Sequence, residues 1–169
     1  MTTYSALRSA IRYALFATAA ISTPTMAATG SYTGDISSVD VGSWVRPFAD
    51  GNCCSGLGPV KFRAQDLQVG TDGLYSLSSV QNGYDGYLFL YQNSFDPLNQ
   101  TANFVAGDDD GTGGIGTSDI ENISLVAGTR YIIVDTGFAA GDQGTFTTTV
   151  TGPGAIYFVT LPLTSADVF

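Results

Sequence analysis

Gly144-Thr145-Phe146-Thr147-Thr148-Thr149-Val150-Thr151 decides the fold class. Phe146, Thr148 and Val150 fall on one side of an extended chain, while Thr145, Thr147 and Thr149 fall on the other. That period of two marks a strand with one buried face and one wet face. Working outward, Tyr131-Ile132-Ile133-Val134 is continuously apolar, as a strand buried on both sides would be. Further strands are expected over 38–45, 60–69, 73–80, 86–92, 103–106, 120–126, 129–136, 144–151 and 155–161, most of them separated by Gly-Thr or Gly-Asp turn signals. No stretch after the first residues shows a helical period. Many short strands at this spacing predict an all-β chain, an antiparallel β-sandwich of jelly-roll-like type in a single domain.

Glycine supplies 21 of 169 residues, about 12% against a usual ~7%. The first 27 residues read as an export signal, with Arg8 and Arg12 before the apolar run Tyr13 to Ile21 and small residues up to Ala27. That run is shorter than the ~20 residues needed to span a bilayer, so no membrane insertion is expected. Residues 28–154 are expected to form the sandwich, and 155–169 an apolar C-terminal strand or tail. Without Arg8 and Arg12, four of the six basic residues remain against fifteen acids, a net charge of −11. So acidic a chain cannot neutralise a row of phosphates, which excludes nucleic acid as an expected partner. There is no histidine, which removes Ser-His-Asp and Cys-His nucleophiles and His-bearing zinc sites.

The densest chemistry is Gly107-Asp108-Asp109-Asp110-Gly111-Thr112-Gly113-Gly114. Adjacent carboxylates repel each other, and a hard cation such as Ca²⁺ relieves that repulsion with oxygens from side chains and loop carbonyls. The alternative is a solvated acidic turn, since Asp and Gly build turns in any case. The loop follows neither of two stricter calcium patterns. An EF-hand begun at Asp110 would have Glu121 at its twelfth place, but Thr112, Gly114 and Ile115 where Asp, Asn and Gly are wanted. Gly113 to Ser118 nearly repeats a calcium β-roll unit, with Ser118 in the Asp position and one copy only. The expected ligands are Asp85, Asp108, Asp109 and Asp110, with Asp119 in reserve.

Tyr84-Asp85-Gly86-Tyr87-Leu88-Phe89-Leu90-Tyr91, Ser94-Phe95-Asp96-Pro97, Gly107-Asp108-Asp109-Asp110-Gly111 and Leu125-Val126-Ala127-Gly128-Thr129-Arg130-Tyr131 together resemble bacterial pre-peptidase C-terminal-like domains. Trp44-Val45-Arg46-Pro47 and the closing Gly152-Pro153-Gly154 fit the same pattern, so the resemblance runs from about Gly30 to Gly154. It implies a β-sandwich of secreted or surface proteins of Gram-negative bacteria, with calcium-dependent folding and substrate or surface attachment among its roles.

Cys53 and Cys54 lie in the loop Asp50 to Gly56 and are not part of that resemblance. In an exported chain they predict either a strained vicinal disulfide, the preferred reading, or bridges between chains. Tyr87, Phe89 and Tyr91 share one face of a strand; exposed, they could stack on sugars, but a central strand buries them, and burial is the reading adopted. Ile156, Tyr157, Phe158 and Val159 form either the last strand of their own sandwich or a strand offered to a neighbour. The expected function is an exported, non-enzymatic, calcium-binding sandwich with a surface, matrix or adhesive role. The alternatives are a filament subunit that adds its C-terminal segment to another copy, and a module binding a surface polysaccharide.

Overall fold

The computed structural model describes residues 27–159, so the export signal expected over the first residues and the chain after Val159 lie outside it. Ten strands form: β1 (Ala28–Asp35), β2 (Gly42–Trp44), β3 (Val60–Val69), β4 (Gly73–Gln81), β5 (Gly86–Gln92), β6 (Phe104–Asp108), β7 (Thr117–Leu125), β8 (Tyr131–Gly137), β9 (Thr145–Gly152) and β10 (Ile156–Val159). They make two antiparallel sheets. The smaller has the order β1-β9-β4-β7, and the larger β10-β3-β8-β5-β6, with β2 added alongside β3. The fold is an all-β sandwich. From β3 to β10 every connection except β5–β6 passes from one sheet to the other, the wrapping expected of a jelly-roll-like chain.

The alternation in β9 follows the reading: Phe146, Thr148 and Val150 are buried, Thr145 and Thr147 are exposed, and Thr149 is half-buried. β8 is buried along its whole length and β5 along all but its last residue, because the larger sheet is covered on both faces. Between the sheets, Leu67, Val69, Leu88, Leu90, Tyr131 and Ile133 pack against Tyr75, Leu77, Ile120, Leu125 and Val150. On the far face of the larger sheet, Tyr87, Phe89 and Tyr91 join Trp44, Val60, Ile132 and Val134 in a second core. Two loops roof it. Phe95 packs there from residues 93–103, and Ala49 from residues 45–59. Tyr91 Oη donates to the Gln100 carbonyl at 2.8 Å. The aromatic stripe is therefore core, with no exposed ring face on Phe89 or Tyr91.

Two departures concern the start of the sandwich. β1 was not expected, because Ala-Thr-Gly-Ser-Tyr-Thr-Gly-Asp offers one large apolar side chain. It forms because all eight residues pair in register with β9. The strand expected over 38–45 shrinks to Gly42–Trp44. Asp35 accepts hydrogen bonds from the Ser37 N–H at 2.7 Å and the Ser37 hydroxyl at 2.6 Å, and this local turn competes with extended pairing. At the other end, Ile156–Val159 pairs with Asp66–Val69 of β3, so the sandwich runs past Gly154.

One polar cluster interrupts the inter-sheet core. Asp135 of β8 is 2% exposed. Its carboxylate accepts from Tyr32 Oη at 2.5 Å, Ser79 Oγ at 2.9 Å and Thr148 Oγ1 at 2.6 Å, which lie on β1, β4 and β9 of the opposite sheet. Burial pushes its pKa up to about 6, although the three hydroxyls pull the other way.

Candidate metal centre

Three sheet-to-sheet connections gather at one end of the sandwich: residues 82–85, 109–116 and 138–144. They meet because the strands that carry them are neighbours. Gly86 pairs with Gly137 and Leu88 with Asp108 in the larger sheet, while Val80 pairs with Thr117 and Gln81 with Phe146 in the smaller. Asp85 stands at the end of the first connection and Asp109 and Asp110 at the start of the second.

Asp85, Asp109 and Asp110 each present a carboxylate oxygen within 4.8 Å of the others. Two oxygens on opposite sides of one Ca²⁺ lie up to about 4.6–5.2 Å apart, since Ca–O distances are about 2.3–2.6 Å. The spacing fits one ion. Asp85 Oδ1 and Asp109 Oδ1 are buried atoms with no hydrogen-bond partner among the described residues. An acceptor in that state normally costs about 1–3 kcal/mol, more when charged. Burial, then the neighbouring Asp110 and Asp85, push the Asp109 pKa up to about 6. Burial followed by Asp110 and Asp142 raises that of Asp85.

The other two expected ligands are placed differently. Asp108 Oδ2 accepts from the Asp119 N–H at 2.7 Å. Asp119 Oδ2 accepts from the Thr112 N–H at 2.9 Å and the Thr112 hydroxyl at 3.1 Å. Hydrogen bonding, from Ser78 first, holds the Asp119 pKa low. These two carboxylates shape the loop while the other three face one another. Consecutive residues leaving a strand point to opposite sides, which separates Asp108 from Asp109. The loop closes through the Gly111 N–H to the Thr117 carbonyl at 2.7 Å, and the Ser118 hydroxyl to the Asp109 carbonyl at 2.7 Å. Glycine at 111 leaves room for the Asp119 carboxylate, since a Cβ there would lie 2.5 Å from Asp119 Oδ2 and displace it. Gly114 and Gly116 take φ of +77° and +87°, which glycine alone adopts at no steric cost.

Sequence reasoning missed the counter-charge. Arg46 is 1% exposed, with its guanidinium carbon 4.1 Å from the Tyr87 ring centroid and 4.7 Å from that of Phe138. Its Nε donates to the Phe138 carbonyl at 2.8 Å. From this slot it lowers the pKa of both Asp85 and Asp109. One fixed cation facing three acids leaves the cluster with net negative charge. The only available signal was an arginine beside Trp44 and Pro47 in an otherwise apolar stretch.

Cys53 and Cys54 form a vicinal pair on the exposed loop, joined by a cis peptide with a Cα separation of 3.0 Å. Ile156 and Phe158 pack against the inter-sheet core, and Tyr157 and Val159 face outward. No helix of the described residues is long and apolar enough to cross a membrane. Compared with models of known protein families and with curated proteins, the chain matches neither.

Proposed function

We propose that this chain is an exported, non-enzymatic β-sandwich that binds Ca²⁺ and serves a surface, matrix or adhesive role in the manner of pre-peptidase C-terminal-like domains. The observation that carries the metal reading is the pair of buried, unpartnered oxygens on Asp85 and Asp109, facing a third carboxylate across a gap of one ion's width. A hard cation satisfies both oxygens, cancels the mutual repulsion and fastens two of the three connections at that end. The supporting role is structural. The absence of histidine leaves no ordinary general base near neutral pH. A polysaccharide module has less support, since Tyr87, Phe89 and Tyr91 are buried. A filament built by donating Ile156–Val159 also has less, because those residues pair with β3 of their own chain.

Thermal unfolding with and without chelator tests the reading. A ligand bound only to the folded state stabilises by RT ln(1 + [L]/Kd), about 2.7 kcal/mol at a hundredfold excess. At roughly 2–4 °C per kcal/mol that is a rise of roughly 5–10 °C in Tm. Asp109→Asn should remove most of the rise. A chelated protein whose Tm does not move on adding saturating Ca²⁺ has no such site.

A further inference from the structure

The sandwich has five edge strands among its described residues, β1 and β7 in one sheet and β10, β6 and the short β2 in the other. An open edge presents unpaired N–H and C=O groups, and monomeric proteins blunt it with charge, bulges, shortness or cover. Four of these edges are blunted, β2 by its length of three residues. β7 carries Asp119 and Glu121, shifts register against β4 between Tyr75 and Leu77, and holds Asn122 at φ +54°. β6 is five residues long, is irregular against β5, and has Ala49 packed beside Gly107. β10 is four residues long, and the Val159 carbonyl is taken by Gln65 Nε2 at 3.2 Å.

Among the described residues β1 is the least blunted edge. It is eight residues long and pairs with β9 without a break, and it carries no proline, lysine or bulge. Its outward side chains are Thr29, Ser31 and Thr33, all small, neutral and exposed, and the first charge comes at Asp35. On a chain with fifteen acids and six basic residues, an unbroken edge that is neutral from Ala28 to Gly34 is a place where two copies meet without like-charge contact.

We propose that the outer edge of β1 pairs antiparallel with β1 of a second copy of this chain. The contact is isologous, so it closes at a two-fold dimer and joins the two four-stranded sheets into one continuous eight-stranded sheet. Antiparallel pairing sets each Asp35 toward the opposite end of the partner strand, away from the other Asp35. The remaining acids repel at a distance, so association strengthens as salt rises and screens them.

Sedimentation of the exported chain, residues 28–169, over a range of concentrations at low and high salt tests this. A reversible dimer is expected, tighter at high salt. Ser31→Lys with Thr33→Lys brings like charges together across the two-fold and should weaken the dimer more than about tenfold, since like charges set opposite each other on paired strands repel. Its Tm as a monomer should stay near that of the parent, because both positions are exposed. Glu121→Gln on the β7 edge should leave the dimer unchanged. Amide hydrogen exchange should slow along β1 in the dimer and not along β10. A chain that stays monomeric at every concentration and salt, a dimer indifferent to the two lysines, or protection confined to β10 would each overturn the proposal.

Discussion

Replacing Asp135 by Asn removes a titrating group from between the sheets while keeping its size and one of its two acceptor oxygens. In the folded chain burial holds the Asp135 pKa at about 6, against about 3.9 for an exposed aspartate. A group whose pKa is raised on folding stabilises the fold fully below its unfolded pKa, and that contribution is lost as pH rises through the folded one. Asp135 should therefore make the fold less stable on going from about pH 4 to pH 7. The loss, at about 1.36 kcal/mol per pH unit between about 3.9 and about 6, is about 3 kcal/mol. That is roughly 6–12 °C in Tm. Asp109, also pushed up to about 6, adds a dependence of the same sign. It is common to parent and variant, so the difference between their curves isolates Asp135. Chelated parent and Asp135→Asn proteins would be melted at intervals from pH 4 to pH 7. The gap between the two curves should change by about 3 kcal/mol across the window, in favour of the variant at pH 7. Parallel curves would show that the buried carboxyl keeps an ordinary pKa, and the reasoning would fall.

Gly111→Ala puts a methyl carbon 2.5 Å from Asp119 Oδ2, so the carboxylate must leave Thr112 and the acidic loop must open. Calorimetric titration should show a weaker Ca²⁺ complex, with stability lowered by about 1–3 kcal/mol. Cys53 and Cys54, bonded to each other, predict an intact mass two hydrogens below the reduced value and a single-chain band on a non-reducing gel. A covalent dimer on that gel would reject the pairing.

How legible this molecule is in its sequence varies with the kind of signal. β3 and β5 begin and end where hydrophobic pattern and turn residues place them, because each carries its own core residues on both faces. β1 has no such signal of its own and exists through eight backbone pairings with a strand more than a hundred residues later. The acidic cluster was visible as composition, but not as geometry. Which carboxylates of Asp108, Asp109 and Asp110 converge depends on where β6 stops alternating, and Asp119 looks like a spare ligand until its bonds to Thr112 are seen. Asp135 was hidden by its neighbours, since one acid after Tyr131-Ile132-Ile133-Val134 reads as the wet end of an apolar strand. It is a buried group reached by hydroxyls from three other strands.

The order in which strands find partners also fixes when the chain can fold. Only β2–β3 and β5–β6 pair with a neighbour in sequence. β4 needs β7 and β9, β3 needs β8 and β10, and β1 waits for β9. As the chain emerges from the ribosome, its first strand has no sheet to join until Thr145–Gly152 is out. Nearly the whole polypeptide must therefore appear before either sheet can close, and folding is a single late event dominated by distant contacts, which is intrinsically slow. A topology of this kind leaves the chain without a closed sheet until its last strands have been made.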